Sequence, residues 1–261
     1  MFRSVHHASS TTAALLAAFC LAACSGGMTL DGVVEPGATA PTSAAKPTFT
    51  PFAQSQEPQL TERVVIANPS AAEVMKTGTL EDRSLGRADA PVALIKYASM
   101  TCPYCRRFML EVFPTFKKEY IDTGKVRVIL REFKIVHQSG QATVALRCAS
   151  PDKYFVLYEK LMGQQASWVS QEVRLDPIYA VAKQVGMSRP DFDACLANRQ
   201  LVEGLKWVKD RGRTLGVIGT PNFFVDGKLV KKVLTLPELR QMLDEALARK
   251  LAQGVAGAAV R

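Results

Sequence analysis

Residues 91–105 read Pro-Val-Ala-Leu-Ile-Lys-Tyr-Ala-Ser-Met-Thr-Cys-Pro-Tyr-Cys, and Arg106-Arg107-Phe108-Met109-Leu110-Glu111-Val112-Phe113 follows at once. Pro91 to Ala98 is apolar and partly β-branched, which predicts a buried strand. The run after Cys105 has helical spacing, with Pro114 set to kink or restart the helix. A strand that passes straight into a helix puts Cys102 at the helix N-terminus. There the unpaired N–H groups and the helix dipole, about half a charge, favour an anion. The thiolate is the attacking form of cysteine, so this position lowers the pKa of Cys102 and makes it a nucleophile. Pro103 suits the first turn because it has no N–H to lose. Cys105, one turn on, lies beside Cys102 and further inside. It is placed to resolve a mixed disulfide, so the pair cycles between dithiol and disulfide.

Working outward, Lys125 to Phe133 alternates like a second strand. A helical tract runs from about Gln141 to Leu215, broken at Ser150-Pro151, at Gly163 to Ser170 and around Gly186 to Pro190. Asn222 to Val225, Asp226-Gly227 and Lys228 to Val230 form a hairpin with an Asp-Gly turn. Leu236 to Leu251 is a closing amphipathic helix, and residues 254–261 are a small-residue tail expected to be disordered. The order is strand, cysteine-bearing helix, strand, helical block, hairpin, helix. That order predicts an α/β thioredoxin fold over residues 76–253 with an inserted helical domain at about 138–215.

The chain from about Glu81 to Leu251 resembles the DsbA-like branch of the thioredoxin superfamily. The likeness is carried by Ala90-Pro91, by Tyr97-Ala98-Ser99-Met100-Thr101 before Cys102-Pro103-Tyr104-Cys105, and by Gly216-Val217-Ile218-Gly219-Thr220-Pro221-Asn222-Phe223-Phe224-Val225-Asp226-Gly227. It implies a cis peptide bond at Pro221, packed against the cysteines, with Thr220 offering backbone groups to an extended substrate strand. By their sequence alone, Thr220-Pro221 also read as an ordinary strand-leading proline. Pro103 and Tyr104 are the motif residues placed to meet a substrate. The resemblance further implies dithiol–disulfide exchange with cysteine-containing envelope proteins and no cofactor beyond the protein's own cysteines. A DsbB-like membrane partner would re-oxidise the site. Relatives usually carry an acid six residues before the nucleophile, where this chain has Lys96. One expectation is that Lys96 pairs with Glu132 on the neighbouring strand and favours thiolates. The other is that Lys96 snorkels to solvent.

The N-terminus reads as an export signal: Arg3 precedes a short apolar stretch, Ala13 to Ala23. That stretch falls short of the roughly 20 apolar residues of a membrane-spanning helix. Leu21-Ala22-Ala23-Cys24 looks like a bacterial lipobox, so residues 1–23 are expected to be removed and Cys24 to carry a lipid. Ordinary cleavage near Ala23 is the alternative. Residues 24–75 are rich in Gly, Ala, Pro, Ser and Thr and read as a flexible tether. No dimerisation domain is visible there, which favours a monomer and weighs against an isomerase of the DsbC kind.

Export permits disulfides. Of the six cysteines, Cys20 lies in the signal and Cys24 at the lipobox, which leaves four and three pairings. A local bridge between Cys102 and Cys105 leaves Cys148 with Cys195 as a structural staple. A four-cysteine zinc site would need two short knuckles, whereas Cys148 and Cys195 stand far apart, so no metal is expected. The net charge of +9 is spread without a lysine- or arginine-rich run, which argues against nucleic acid as a partner. The expected activity is that of a periplasmic, membrane-anchored oxidase of protein thiols. A reductase or isomerase, and a non-catalytic lipid-anchored binding protein, are the alternatives.

Overall fold

The computed structural model describes residues 64–259, with side chains up to residue 253. The expected signal (1–23), the lipidation site Cys24 and the tether as far as residue 63 lie outside the described residues. Among the described residues no helix is long and apolar enough to cross a membrane.

The chain passes through α1 (Ala71–Met75), β1 (Arg83–Leu85) and β2 (Val92–Ala98). After α2 (Pro103–Arg107) the helix continues through a π turn (Phe108–Val112), α3 (Phe113–Phe116) and a second π turn (Lys117–Ile121). The first π turn ends with the Phe113 N–H bonded to the Phe108 carbonyl, five residues back. Pro114, which has no N–H to give, follows directly, so the helix shifts register there and carries on. β3 (Val126–Glu132) comes next, then six helices: α4 (His137–Cys148), α5 (Pro151–Gly163), α6 (Gln165–Trp168), α7 (Leu175–Ala182), α8 (Arg189–Leu196) and α9 (Arg199–Thr214). β4 (Asn222–Val225), β5 (Lys228–Val230) and α10 (Leu236–Ala259) close the fold.

The sheet order is β1-β3-β2-β4-β5, with β2 and β3 parallel and the other pairs antiparallel. β2 lies in the middle, which explains a near-continuous apolar strand. Its Val92, Leu94 and Ala98 join the large core shared with the cysteine-bearing helix, the helical block and α10. Its Ile95 and Tyr97 face the smaller core with Ile129, Val217 and Phe224. The β4–β5 turn is tight because Asp226 and Gly227 both take positive φ, 47° and 81°.

Two boundaries and one short strand differ from the sequence reading. The chain is already packed before residue 76: Ser70 and Glu73 form a capping box on α1, and Val74 is buried. Arg131 fastens this segment by donating to the Val74 and Lys76 carbonyls and to Asp82. The short β1 has no hydrophobic pattern of its own and was missed; pairing with β3 creates it. At the other end α10 runs to Ala259, past the expected close at Leu251 and into the stretch read as a disordered tail. Its alanine-rich end sustains the helix despite Gly254 and Gly257.

Candidate active site

The abrupt exit from β2 makes Cys102 the N-cap of α2, with extended backbone (φ −76°, ψ 119°). Its sulfur accepts the Cys105 N–H at 3.3 Å, so an orphan donor of the first turn points at the sulfur. Pro103 sits in the first turn of α2, and Tyr104 beside it is 55% exposed. Cys102 and Cys105 are both free thiols; Cys105 is fully enclosed and Cys102 only 6% exposed. Across from them the Thr220–Pro221 bond is cis. The Cys102 thiol donates to the Thr220 carbonyl at 3.2 Å. Asn222 holds this loop, accepting the Ile218 N–H at 3.2 Å and donating to the Pro221 carbonyl at 2.8 Å. Ile218, 76% exposed, stands at the rim.

Under the cysteines lies Lys96, 3% exposed. The alternation of β2 turns it to the same side as Leu94 and Ala98, beneath α2. Its ammonium donates to the Tyr158 hydroxyl at 3.1 Å and sits 4.2 Å from the centre of the Phe108 ring. The expected Lys96–Glu132 pair does not form, and neither does Lys96 reach solvent. In the parallel register Lys96 stands opposite Leu130 and Glu132 opposite Ala98, two residues or about 7 Å further along. The Glu132 carboxylate is taken by Arg147, which donates to both of its oxygens, and by the Tyr154 hydroxyl.

Away from this cluster, Cys148 at the end of α4 is disulfide-bonded to Cys195 in α8, with Cα atoms 6.1 Å apart. Arg107, exposed on α2, is ion-paired with Glu111 one turn on.

A family model described as Thioredoxin matches residues 78–245. The chain belongs to the thioredoxin family. Relatives include a Rickettsia conorii protein named as a protein-disulfide oxidoreductase, 30% identical over 167 residues, covering 61% of this chain and 59% of that protein. Disulfide bond formation protein D of Bacillus subtilis is 24% identical over 172 residues, covering 64% of this chain and 77% of the relative. The chain spans about 60% of the length of the rickettsial relatives it matches. Among solved structures, Wolbachia pipientis alpha-DsbA1 superposes with a TM-score of 0.64 at 24% identity over 70% of this chain and 98% of that one. BdbD from Bacillus subtilis does so with a TM-score of 0.61 at 22% identity over 71% and 98%. The fold is therefore that of the DsbA-like thioredoxins, with the helical block inserted between β3 and β4.

In this thioredoxin-family site the two sulfurs are driven apart electrostatically. Cys102 is lowered to about 6, chiefly by its hydrogen bond with Cys105 and further by the Thr220 side chain and the helix N–H groups, against the opposing effect of burial. Burial pushes Cys105 well above the ordinary thiol range, and Lys96 only partly offsets this. Burial likewise lowers Lys96 to about 8, with Cys105 and then Cys102 pulling it back up. Such a pair presents a thiolate nucleophile at the rim and a protonated thiol behind it.

The sequence reading missed Tyr158, Phe108 and Gln165 as site residues. Gln165 donates to the Met100 and Cys102 carbonyls at 2.7 and 3.2 Å, tying the helical block to the turn that carries Cys102. No motif marks Tyr158 or Gln165; each is one polar residue in an otherwise ordinary helix of the insertion.

Proposed function

We propose that this protein is a thiol–disulfide oxidoreductase that introduces disulfides into cysteine-containing envelope proteins. The observation that carries the reading is the Cys102 sulfur held between the Cys105 N–H and the Thr220 carbonyl of the cis-proline loop. In the oxidised protein a client thiolate attacks the Cys102 sulfur, the Cys102–Cys105 bond breaks, and Cys105 leaves. A second client thiol then attacks the client sulfur of the mixed disulfide and releases Cys102 as a thiolate. Because Cys102 is a good leaving group, the reduced form is favoured and the protein is an oxidant. The redox equivalents reside on Cys102 and Cys105 themselves. Thr220 and Ile218 offer an open edge for an extended client segment, with Tyr104 on the opposite lip. Export, a lipid on Cys24, a DsbB-like membrane re-oxidant and a monomeric state complete the proposal. They are supported by the sequence of residues 1–24 and by the DsbA-like fold.

Equilibration of the mature protein with glutathione tests the direction of electron flow. A potential of roughly −120 to −180 mV supports the oxidant reading, and one near roughly −270 mV replaces it with a reductase. Cys105→Ser, which keeps the attacking thiol, is expected to accumulate mixed disulfides with clients in vivo. An absence of captured clients in that variant would leave only a binding role.

A further inference from the structure

Among the described residues Lys96 has no carboxylate partner for its buried amine. Among the described residues its neighbours are the Tyr158 hydroxyl from α5, the Phe108 ring from the first π turn, and Phe223, its register partner on β4. On the β3 side the nearest acid, Glu132, is held by Arg147 and Tyr154. The charges that act on Lys96 are those of Cys105 and Cys102. The same two sulfurs act on Tyr158, whose phenol burial holds in its protonated form. A cation in such surroundings is costly to hold without an anion nearby. The anion exists in only one redox state: a dithiol has a thiolate at Cys102, and a disulfide has none.

We propose that Lys96 is a redox-linked proton site, which takes up a proton when the Cys102–Cys105 disulfide is reduced and gives it up when the disulfide re-forms. The inference rests on the thiol–disulfide reading above and concerns where the client's protons go. A client dithiol gives up two electrons and two protons as its own disulfide forms. One proton ends on Cys105 as a thiol and the other on Lys96 as an ammonium, while Cys102 stays a thiolate. The neutral disulfide site with neutral Lys96 becomes a thiolate, a thiol and an ammonium, so the buried site gains no net charge. An acid at this position would instead gain or lose a negative charge as it handled the Cys105 proton. Lys96 is thus a positioning residue that acts through the cysteines.

The sign follows from linkage. In the reduced protein Lys96 titrates at about 8, held up by the sulfurs. In the disulfide that support is gone, and the lysine loses its proton at lower pH. Between those two points reduction binds one extra proton, so the equilibrium constant for reduction falls more steeply with pH in wild type than in a variant without a titrating group.

The experiment compares wild type, Lys96→Met and Lys96→Arg, each full-length, in glutathione buffers over a pH series. Between the oxidised-state midpoint of Lys96 and pH about 8, the ratio of the wild-type constant to that of Lys96→Met should change tenfold per pH unit, equivalent to about 30 mV. Lys96→Arg keeps the charge but does not titrate here, so it should keep the low Cys102 midpoint and lose the extra pH dependence. Proton release with wild type alone gives a check that needs no variant. Oxidation of a dithiol at neutral pH in weak buffer should release almost no protons, because both stay on the protein. A constant ratio across the pH series, or release of a whole proton per disulfide formed, overturns the proposal. The thiolate absorbance of each chemically reduced protein is read in parallel and requires no exchange partner. A Cys102 midpoint unmoved in Lys96→Met overturns the proposal, whereas a wild type that titrates normally but never equilibrates with glutathione overturns the oxidoreductase reading instead.

Discussion

The depressed pKa of Cys102 leads to a quantitative prediction about the reduced protein. With a midpoint of about 6, roughly nine-tenths of Cys102 is thiolate at pH 7, against about 3% for an unperturbed thiol at about 8.5. Alkylation of reduced protein at pH 7 should therefore outpace that of a free-cysteine peptide by up to roughly 30-fold, less the lower intrinsic nucleophilicity of a stabilised thiolate. The same shift is a statement about stability. A folded pKa below the unfolded one stabilises the fold fully above about pH 8.5, and that stability is lost as pH falls through about 6. The full shift would be worth about 3 kcal/mol, and screening at a sulfur open to the rim reduces this to roughly 2 kcal/mol. In Lys96→Arg, which keeps the low Cys102 midpoint and has no titrating lysine, the gap between reduced and oxidised urea midpoints should change across pH 6 to 8.5 in favour of the reduced form. Thr220→Val removes the side-chain hydroxyl that helps hold Cys102 down and should raise the alkylation midpoint. An alkylation midpoint at or above pH 8 in wild type would refute this account of the site.

Other consequences lie away from the reacting sulfurs. Replacing Cys148 and Cys195 together by alanine opens a loop with a sequence separation of 47 residues and should cost about 4 kcal/mol in chemical denaturation, with the glutathione equilibrium of Cys102 and Cys105 unchanged. Arg147→Met leaves the Glu132 carboxylate buried with only the Tyr154 hydroxyl, and a loss of about 3–5 kcal/mol is expected in the same assay. Gly212→Ala puts a Cβ 2.6 Å from the ring of Tyr97, whose hydroxyl is held by Arg131. With neither partner free to move, the urea midpoint should drop by the equivalent of about 1–3 kcal/mol.

Much of the site was legible because it is local. Strand, cysteine and helix are adjacent in the chain between residues 92 and 107, and Pro103 marks the first turn without any knowledge of the rest. The hairpin was equally local, since Asp-Gly at 226 and 227 specifies a turn that needs two positive φ angles. The helical block showed itself by periodicity and breakers. What had no local signature went unread: β1 exists through its pairing with β3, and α1 is held down by Arg131 from a strand some 55 residues later.

The sequence by itself therefore determined the order of the central elements and the place of Cys102 and Cys105 at the start of α2, because each depends on neighbours within one or two turns of chain. Only the tertiary structure decided which partners the buried charges take. Lys96 and Glu132 share one face of adjacent strands, yet the register sets them two residues apart. The fork of Arg147 fits both carboxylate oxygens of Glu132, while Tyr158, 62 residues from Lys96, reaches its ammonium. The contact between Cys102 and the Thr220 carbonyl likewise joins residues 118 apart. Hydrogen-bond geometry is set by directions and distances of a few tenths of an ångström, which arise only once the strands are in register and the helices are packed.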